Sequence, residues 1–382
     1  MRILLVGDYP PDPRLGSTKV LVKLREQFLA MGHVCDMLLA DALGGPHNPY
    51  VRQAVGPLIA RRAVLRAFER SGPYDIVDVA SAEGLWLAVA SRGALNGAAV
   101  ISRSNGLEHL NYQRMLDDHE AGLIHKPWTR RLFHPAVRLT QVAAAARAAD
   151  RLLLLNDSDR DFAVERRWKS PARIDVVAHG VSQQFFDDTP EAAARRAAGI
   201  LYCGSWTEMK GVPYLVEAFA ALARRRPGIR MTVLGGGLPA SDILAAFPAD
   251  VRHSVRVVDR SSEADVMSAY RSHDVLAWPS TYEGFGMVLL EAMSQRLPVV
   301  ATPVGCARSL VRSEQTGLAV PPRDPAALAR ALERMLDEPD LARRCAANAF
   351  ETVRPYTWSR TAAHTLDVYA RALADRRHGA DH

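Results

Sequence analysis

Residues 280–294 read Ser-Thr-Tyr-Glu-Gly-Phe-Gly-Met-Val-Leu-Leu-Glu-Ala-Met-Ser, and this stretch decides the fold. Just upstream, Val275-Leu276-Ala277-Trp278 is an apolar run of strand length, and beyond Gly286 the apolar residues take helical spacing. The order is strand, Gly-rich turn, helix. Such a turn leaves the N–H groups of Gly286, Met287 and Val288 without intrahelical partners. It aims them, with the positive end of the helix dipole, at an anion such as a phosphate. Glu283 lies on the turn and Glu291 inside the apolar run, separated by about 12 Å at the helical rise per residue. That is about the reach from a sugar to a ribose across a pyrophosphate. A carboxylate accepts two hydroxyl hydrogen bonds at once, which suits a ribose diol or a hexose edge. Spacing alone leaves a second assignment open, in which Glu283 caps the helix and Glu291 is solvated.

Outward from this stretch, short β-branched or Leu-rich runs alternate with helical segments, the rhythm of parallel sheets covered on both faces. The first half predicts strands at 2–6, 34–39, 75–79, 98–102, 151–155 and 174–178. The second predicts them at 200–203, 230–234, 255–258, 275–278 and 298–301. Each half reads as its own doubly wound, Rossmann-like α/β domain. The expected division is 1–185, 186–356, a last helix over 357–376 that returns to the first domain, and a disordered tail at 377–382. Polar residues from Ser182 to Pro190 form the expected linker.

The chain has 382 residues and a formal net charge of +6. Residues 1–185 hold 24 Lys and Arg against 19 Asp and Glu, a net of +5, and the remainder 24 against 23, a net of +1. Arg61, Arg62, Arg66 and Arg70 repeat at near-helical spacing, so several share a face. A basic face of this kind attracts an anionic membrane surface or a lipid-linked anionic acceptor. Nucleic acid is not expected, because the Arg-rich segments carry no interleaved aromatics and no reader motif. No apolar stretch is long enough to span a bilayer, and the start has no signal-peptide pattern. Cys35, Cys203, Cys306 and Cys345 are scattered, and read as reduced, buried residues of a cytoplasmic protein.

The ordered set of motifs resembles the family 4 glycosyltransferases, retaining enzymes of the GT-B fold. Their signature is Glu283-x7-Glu291 with Gly284 and Gly286 between. Asp274 to Pro279, Leu297 to Thr302 and Thr316 to Pro325 match the family's flanking segments in order, with Lys210-Gly211 upstream and Tyr356-Thr357-Trp358 downstream. The resemblance implies two Rossmann-like domains facing each other across a cleft. It also implies transfer of a hexose-type sugar from a nucleoside diphosphate sugar, a substrate and not a cofactor, to a sugar-containing or lipid-linked acceptor. No metal and no protein nucleophile are implied. Lys210, Glu283 and Asn105 are the candidate catalytic residues. Gly16, Ser205, Gly237, Phe285, Gly286, Met287, Val288 and Glu291 are the candidate donor-binding residues. Glu283 would orient the donor sugar and Glu291 the ribose, and Lys210 with the helix start would hold the diphosphate.

The chain departs from the pattern in two places. Ser205 stands where relatives carry an Arg, which removes one fixed cation from the leaving group. Asn105 replaces a His beside the donor sugar, and an amide cannot take a proton at neutral pH. His109 is the nearby substitute, or else a structural histidine; Ser17 is a helix cap, and Gly16 allows close approach to a ligand. Two rival functions stand beside this one: a sugar-binding or scaffold protein that has lost catalysis, which these substitutions favour, and a nucleotide-sugar epimerase, which shares the fold.

Overall fold

A computed structural model describes residues 1–91, 93–187, 199–259 and 262–380. The chain forms two compact units: Met1–His179 with Trp358–His382, and Gly180–Thr357. The division falls a few residues before the expected boundary at 185/186, and the part of the expected linker beyond 187 lies outside the described residues.

In the first unit six parallel strands run β1 (Arg2–Val6), β2 (Val34–Leu38), β3 (Ile76–Ala80), β4 (Ala99–Arg103), β5 (Arg151–Leu154) and β6 (Ile174–Val176). Their spatial order is β2-β1-β3-β4-β5-β6. β1, β3, β4 and β5 are buried nearly throughout, so they read as continuous apolar runs with no alternation. Two of the buried polar exceptions pair with each other: Asp78 of β3 and Arg103 of β4 lie 2.5 Å apart, at 0% and 1% side-chain exposure. The last helix, Trp358–Ala380, completes that cluster, because the Tyr369 hydroxyl donates to Asp78 Oδ2 at 2.5 Å. The same helix is held by Arg376 to Asp150 at 3.0 Å and by Asp375 to Arg151 at 2.6 Å. It therefore covers most of the stretch expected as a tail, and residues 381–382 lie outside the described residues.

The second unit holds β7 (Ile200–Cys203), β8 (Met231–Leu234), β9 (Val255–Val258), β10 (Val275–Trp278), β11 (Val299–Ala301) and β12 (Leu318–Ala319), in the order β12-β11-β10-β7-β8-β9. The unexpected β12 has two residues, too short to show a period. Helix Val212–Arg225 and helix Pro325–Asp337 bury Leu215, Phe219, Leu222, Leu328 and Leu332 against this sheet. Asp324 caps the second of them, accepting from Ala327 N–H at 2.8 Å with Pro325 at its start.

Both sheets are doubly wound, and each has one place where the strand order reverses: between β1 and β3 in the first unit, between β7 and β10 in the second. Loops leaving the carboxyl ends of strands at such a point form the usual ligand crevice of an open α/β sheet.

Candidate functional site

The second unit's reversal point is lined by the loops after β7 and β10. After Cys203 the chain turns through Gly204 and Ser205 into a short 3-10 turn, Glu208–Lys210, then into helix Val212–Arg225. Gly211 permits that path: its φ is +72°, and a Cβ there would sit 1.9 Å from the Pro279 carbonyl oxygen. The two loops are stitched together, with Thr281 N–H donating to the Met209 carbonyl at 2.9 Å and the Thr281 hydroxyl to the same oxygen at 3.2 Å. This stitching brings Lys210 to Glu283, Nζ to Oε1 at 2.5 Å. Ser280 Oγ donates to the same carboxylate oxygen at 3.0 Å. Glu283 is thus not a helix cap, and the solvated alternative for the pair falls with it. An ammonium has three donors, and this contact uses one.

Helix Met287–Ser294 begins at Gly286, whose φ of +107° places it in the left-handed region, and no side chain caps that end. A Cβ on Gly286 would meet the Trp278 ring at 2.6 Å, so glycine is required for the helix to start against β10. Met287 and Val288 form the first turn. Phe285 is buried, and its carbonyl accepts from Cys306 N–H at 2.7 Å, which fixes the turn from the β11 side. Glu291 is buried one turn on and accepts from the Tyr270 hydroxyl at 3.1 Å. Burial is the main cause that pushes the Tyr270 phenol well above its ordinary value, with nearby Cys203 and Glu291 adding to it, so it stays a donor. Tyr270, Ser280 and Cys306 went unsuspected in the sequence; Tyr270 is hidden in the apolar stripe of helix Glu263–Ser272.

Ser205 is half-buried, and its carbonyl accepts the Tyr202 hydroxyl at 2.8 Å and the Thr207 N–H at 3.0 Å. The turn is therefore held by backbone, and no side-chain cation stands at that slot. Trp206 N–H donates to the Gly236 carbonyl at 2.8 Å and joins this loop to the one after β8, where Gly237 is exposed with φ +76°. Arg260, which resembles a position near the nucleotide base, lies outside the described residues. Among the cysteines, Cys35, Cys306 and Cys345 are buried and free; Cys203 is half-buried and accepts from the Tyr270 hydroxyl at 3.6 Å. Among the described residues no group of three His, Cys, Asp or Glu is placed to hold a metal ion, and no helix is long and apolar enough to cross a membrane.

In the first unit Gly16 opens helix Gly16–Ala30 and is exposed. Ser17 lies inside that helix, which Leu15 starts without a side-chain cap, so the cap expected at Ser17 is absent. Asn105 Nδ2 donates to the Tyr9 hydroxyl at 3.2 Å. His109 is boxed by Trp168 and Phe162, with ring centroids at 4.7 and 5.8 Å, and burial pulls its pKa down to about 4. It is neutral and held in an aromatic cage, the structural alternative. His179 is likewise buried, its pKa lowered to about 3 by desolvation and the charge of Arg103. Asn156 caps helix Asp157–Glu165, accepting from Asp159 N–H at 2.9 Å.

Comparison with known proteins separates the halves. The sequence pattern described as glycosyl transferases group 1 matches residues 183–352. The matched segment carries Lys210, Glu283 and Glu291. The chain is 35% identical over 275 residues to a D-inositol 3-phosphate glycosyltransferase of Kineococcus radiotolerans, covering 65% of this chain and 63% of that one. A protein of the same name from Thermobispora bispora is 30% identical over 63% of this chain and 60% of its own length. The matched region thus spans less than two thirds of these relatives. The whole fold is that of GT-B proteins: sucrose-phosphate synthase from Thermosynechococcus elongatus superposes with a TM-score of 0.77 at 22% identity, over 98% of this chain and 99% of that one. Anabaena HepE, solved with UDP and glucose, gives 0.69 at 16% identity, over 97% and 100%.

Proposed function

We propose that the chain is a retaining glycosyltransferase that moves a hexose-type sugar from a nucleoside diphosphate donor to a hydroxyl of a sugar-containing or lipid-linked acceptor. The observation that carries this reading is the Lys210–Glu283 pair at the reversal point of the second sheet, beside a glycine-led, uncapped helix start. An ammonium and a row of N–H groups suit a diphosphate, and a carboxylate suits sugar hydroxyls. Glu291, oriented by Tyr270, has the acceptor capacity for a ribose diol. In the reaction proposed, charge develops on the leaving diphosphate. Lys210 and the helix start stabilise it there, and the acceptor proton passes to the leaving phosphate on the same face. No protein nucleophile and no metal take part.

Exposed basic and apolar side chains on two helices of the first unit support a peripheral contact with anionic lipid, at the cytoplasmic side where such donors are used. Arg62, Arg66 and Arg70 are exposed along helix Pro49–Ser71, whereas Arg61 is turned inward to Ser91 at 2.7 Å. Trp128 and Leu132 are 69% and 64% exposed beside Arg130 and Arg131. A basic surface with protruding apolar side chains fits a charged membrane interface. Binding to anionic but not neutral vesicles, fading as salt rises, is the expected cosedimentation result; equal recovery on both would remove the membrane from the account.

A thermal-shift scan of nucleotide sugars tests the core reading, since a ligand at a hundred times its Kd stabilises the fold by about 2.7 kcal/mol. One UDP-, GDP- or ADP-sugar should raise Tm, and transfer from it should keep the anomeric configuration. No shift with any donor would leave the scaffold reading, which Asn105 and Ser205 favour. Interconversion of the donor without an acceptor would make the chain an epimerase.

A further inference from the structure

In the second unit Glu291 is backed by a part of the chain that no motif marks. Residues 182–187 lead into that unit, with Gln184–Asp187 as a short helix. Gln184 Nε2 donates to Glu263 Oε2 at 2.6 Å, which ties the segment to the start of helix Glu263–Ser272. One residue on, Phe185 is fully buried, and its ring lies against Tyr270 with centroids 6.4 Å apart. The Phe185 carbonyl accepts from Gln295 Nε2, and Gln295 Oε1 accepts from Arg271 Nε at 2.6 Å. Gln295 follows Glu291 by one helical turn and is itself fully buried. Two rungs therefore join the helices that carry them: Tyr270 to Glu291 at 3.1 Å, and Arg271 to Gln295. Phe185 touches both rungs, one through its ring and the other through its carbonyl.

A carboxylate offers about four lone-pair sites, and Tyr270 takes one of them on Oε2. Fixing that contact fixes the plane of the carboxylate, and with it the direction of the lone pairs that a ligand can meet. Two hydroxyls on neighbouring carbons can donate to such a group together. A nucleotide that lacks one of them leaves a buried acceptor short of a donor, which is costly. We propose that Tyr270 is a positioning residue that holds Glu291 for a ribose diol, that Phe185, anchored by Gln295, holds Tyr270 in turn, and that the set selects a ribonucleotide over its 2′-deoxy counterpart. The proposal rests on the glycosyltransferase reading and deepens it, because it makes the entry segment part of donor recognition.

Calorimetry on the full chain tests it, with UDP, GDP, ADP and their 2′-deoxy counterparts as probes. In the wild type the best-bound ribonucleotide should exceed its deoxy form by about tenfold or more. Tyr270→Phe keeps the ring and removes only the hydroxyl. It should weaken the ribonucleotide by about tenfold, leave the deoxy form within about twofold, and so erase the preference. Phe185→Leu reduces the ring contact without adding a polar atom, and should narrow the preference by about threefold. A general loss of packing would weaken both nucleotides alike. Equal weakening of both by Tyr270→Phe would therefore overturn the proposal, as would unchanged ribonucleotide affinity in that variant or a wild type with no preference. If Glu291→Ala still weakens the nucleotide in any of those cases, the donor reading survives and the positioning role alone falls. If no nucleotide binds the wild type, both fall.

Discussion

The two sheets reverse their winding at equivalent places, yet they furnish those places differently. In the second unit one ammonium meets one carboxylate, Lys210 with Glu283, beside a glycine-led helix start. In the first unit one guanidinium is divided between Glu83 and Glu108, and a second is occupied by Asp8. Both helix starts, at Gly16 and at Gly286, are uncapped, and Arg52–Asp8 is a one-to-one pair like Lys210–Glu283. What sets the first unit apart is the guanidinium of Arg138, already shared by two carboxylates. The proposed phosphate end lies in the second unit, where the remaining donors of the Lys210 ammonium adjoin the helix start.

The largest effect that would break this comparison lies within the first sheet. Asp78→Ala would leave Arg103 buried without its partner between β3 and β4, and removing one side of a buried pair costs about 3–5 kcal/mol. Chemical denaturation should show that loss. A change of a few tenths would mean that the ion pair is not what fixes the first sheet. Lys210→Ala comes next. It should lower turnover by about 10²–10³-fold, the usual effect of deleting one donor to a developing anion, and it should leave the fold intact. Normal transfer by a folded variant would remove Lys210 from the phosphate end.

The region legible in advance is contiguous. Residues 280–294 hold a strand end, a turn and a helix start, so backbone geometry places Glu283, Gly286 and Glu291 without help from distant chain, and apolar runs mark strands buried on both faces. The Lys210–Glu283 contact required one further fact, the stitching of Met209 to Thr281, which no spacing reveals. In the first unit's cluster Tyr9, Arg52, Glu83, Asn105, Glu108 and Arg138 come from five separate segments. Apart from Asn105, each alone looks like an ordinary surface residue. Ser17 misled for a local reason: the helix starts one residue earlier, at Gly16, and leaves the hydroxyl inside it.

The smallest prediction uses pH. Asp159 is 1% exposed, and burial pushes its pKa from 3.8 up to about 7. Between those values the folded state holds a proton that the unfolded state has lost, so stability is fully present below about pH 4 and falls as pH rises toward 7. Asp159→Asn should remove that slope, and its stability relative to the wild type should increase from pH 5 to pH 8. A constant difference would show that Asp159 is ionised in the folded protein, and that this part of the first unit is more open than its burial indicates.

The division of labour between the two ends can be read in one set of titrations. Isothermal calorimetry with the nucleoside diphosphate of the donor found by the scan would compare wild type, Glu291→Ala and Asn105→Ala. Loss of the Glu291 carboxylate should weaken the nucleotide by about 1–3 kcal/mol, the range for a hydrogen bond to a charged group. Asn105→Ala should leave nucleotide affinity as it was. Unchanged binding in Glu291→Ala, or equal weakening in both variants, would contradict the assignment of the anion to the second unit.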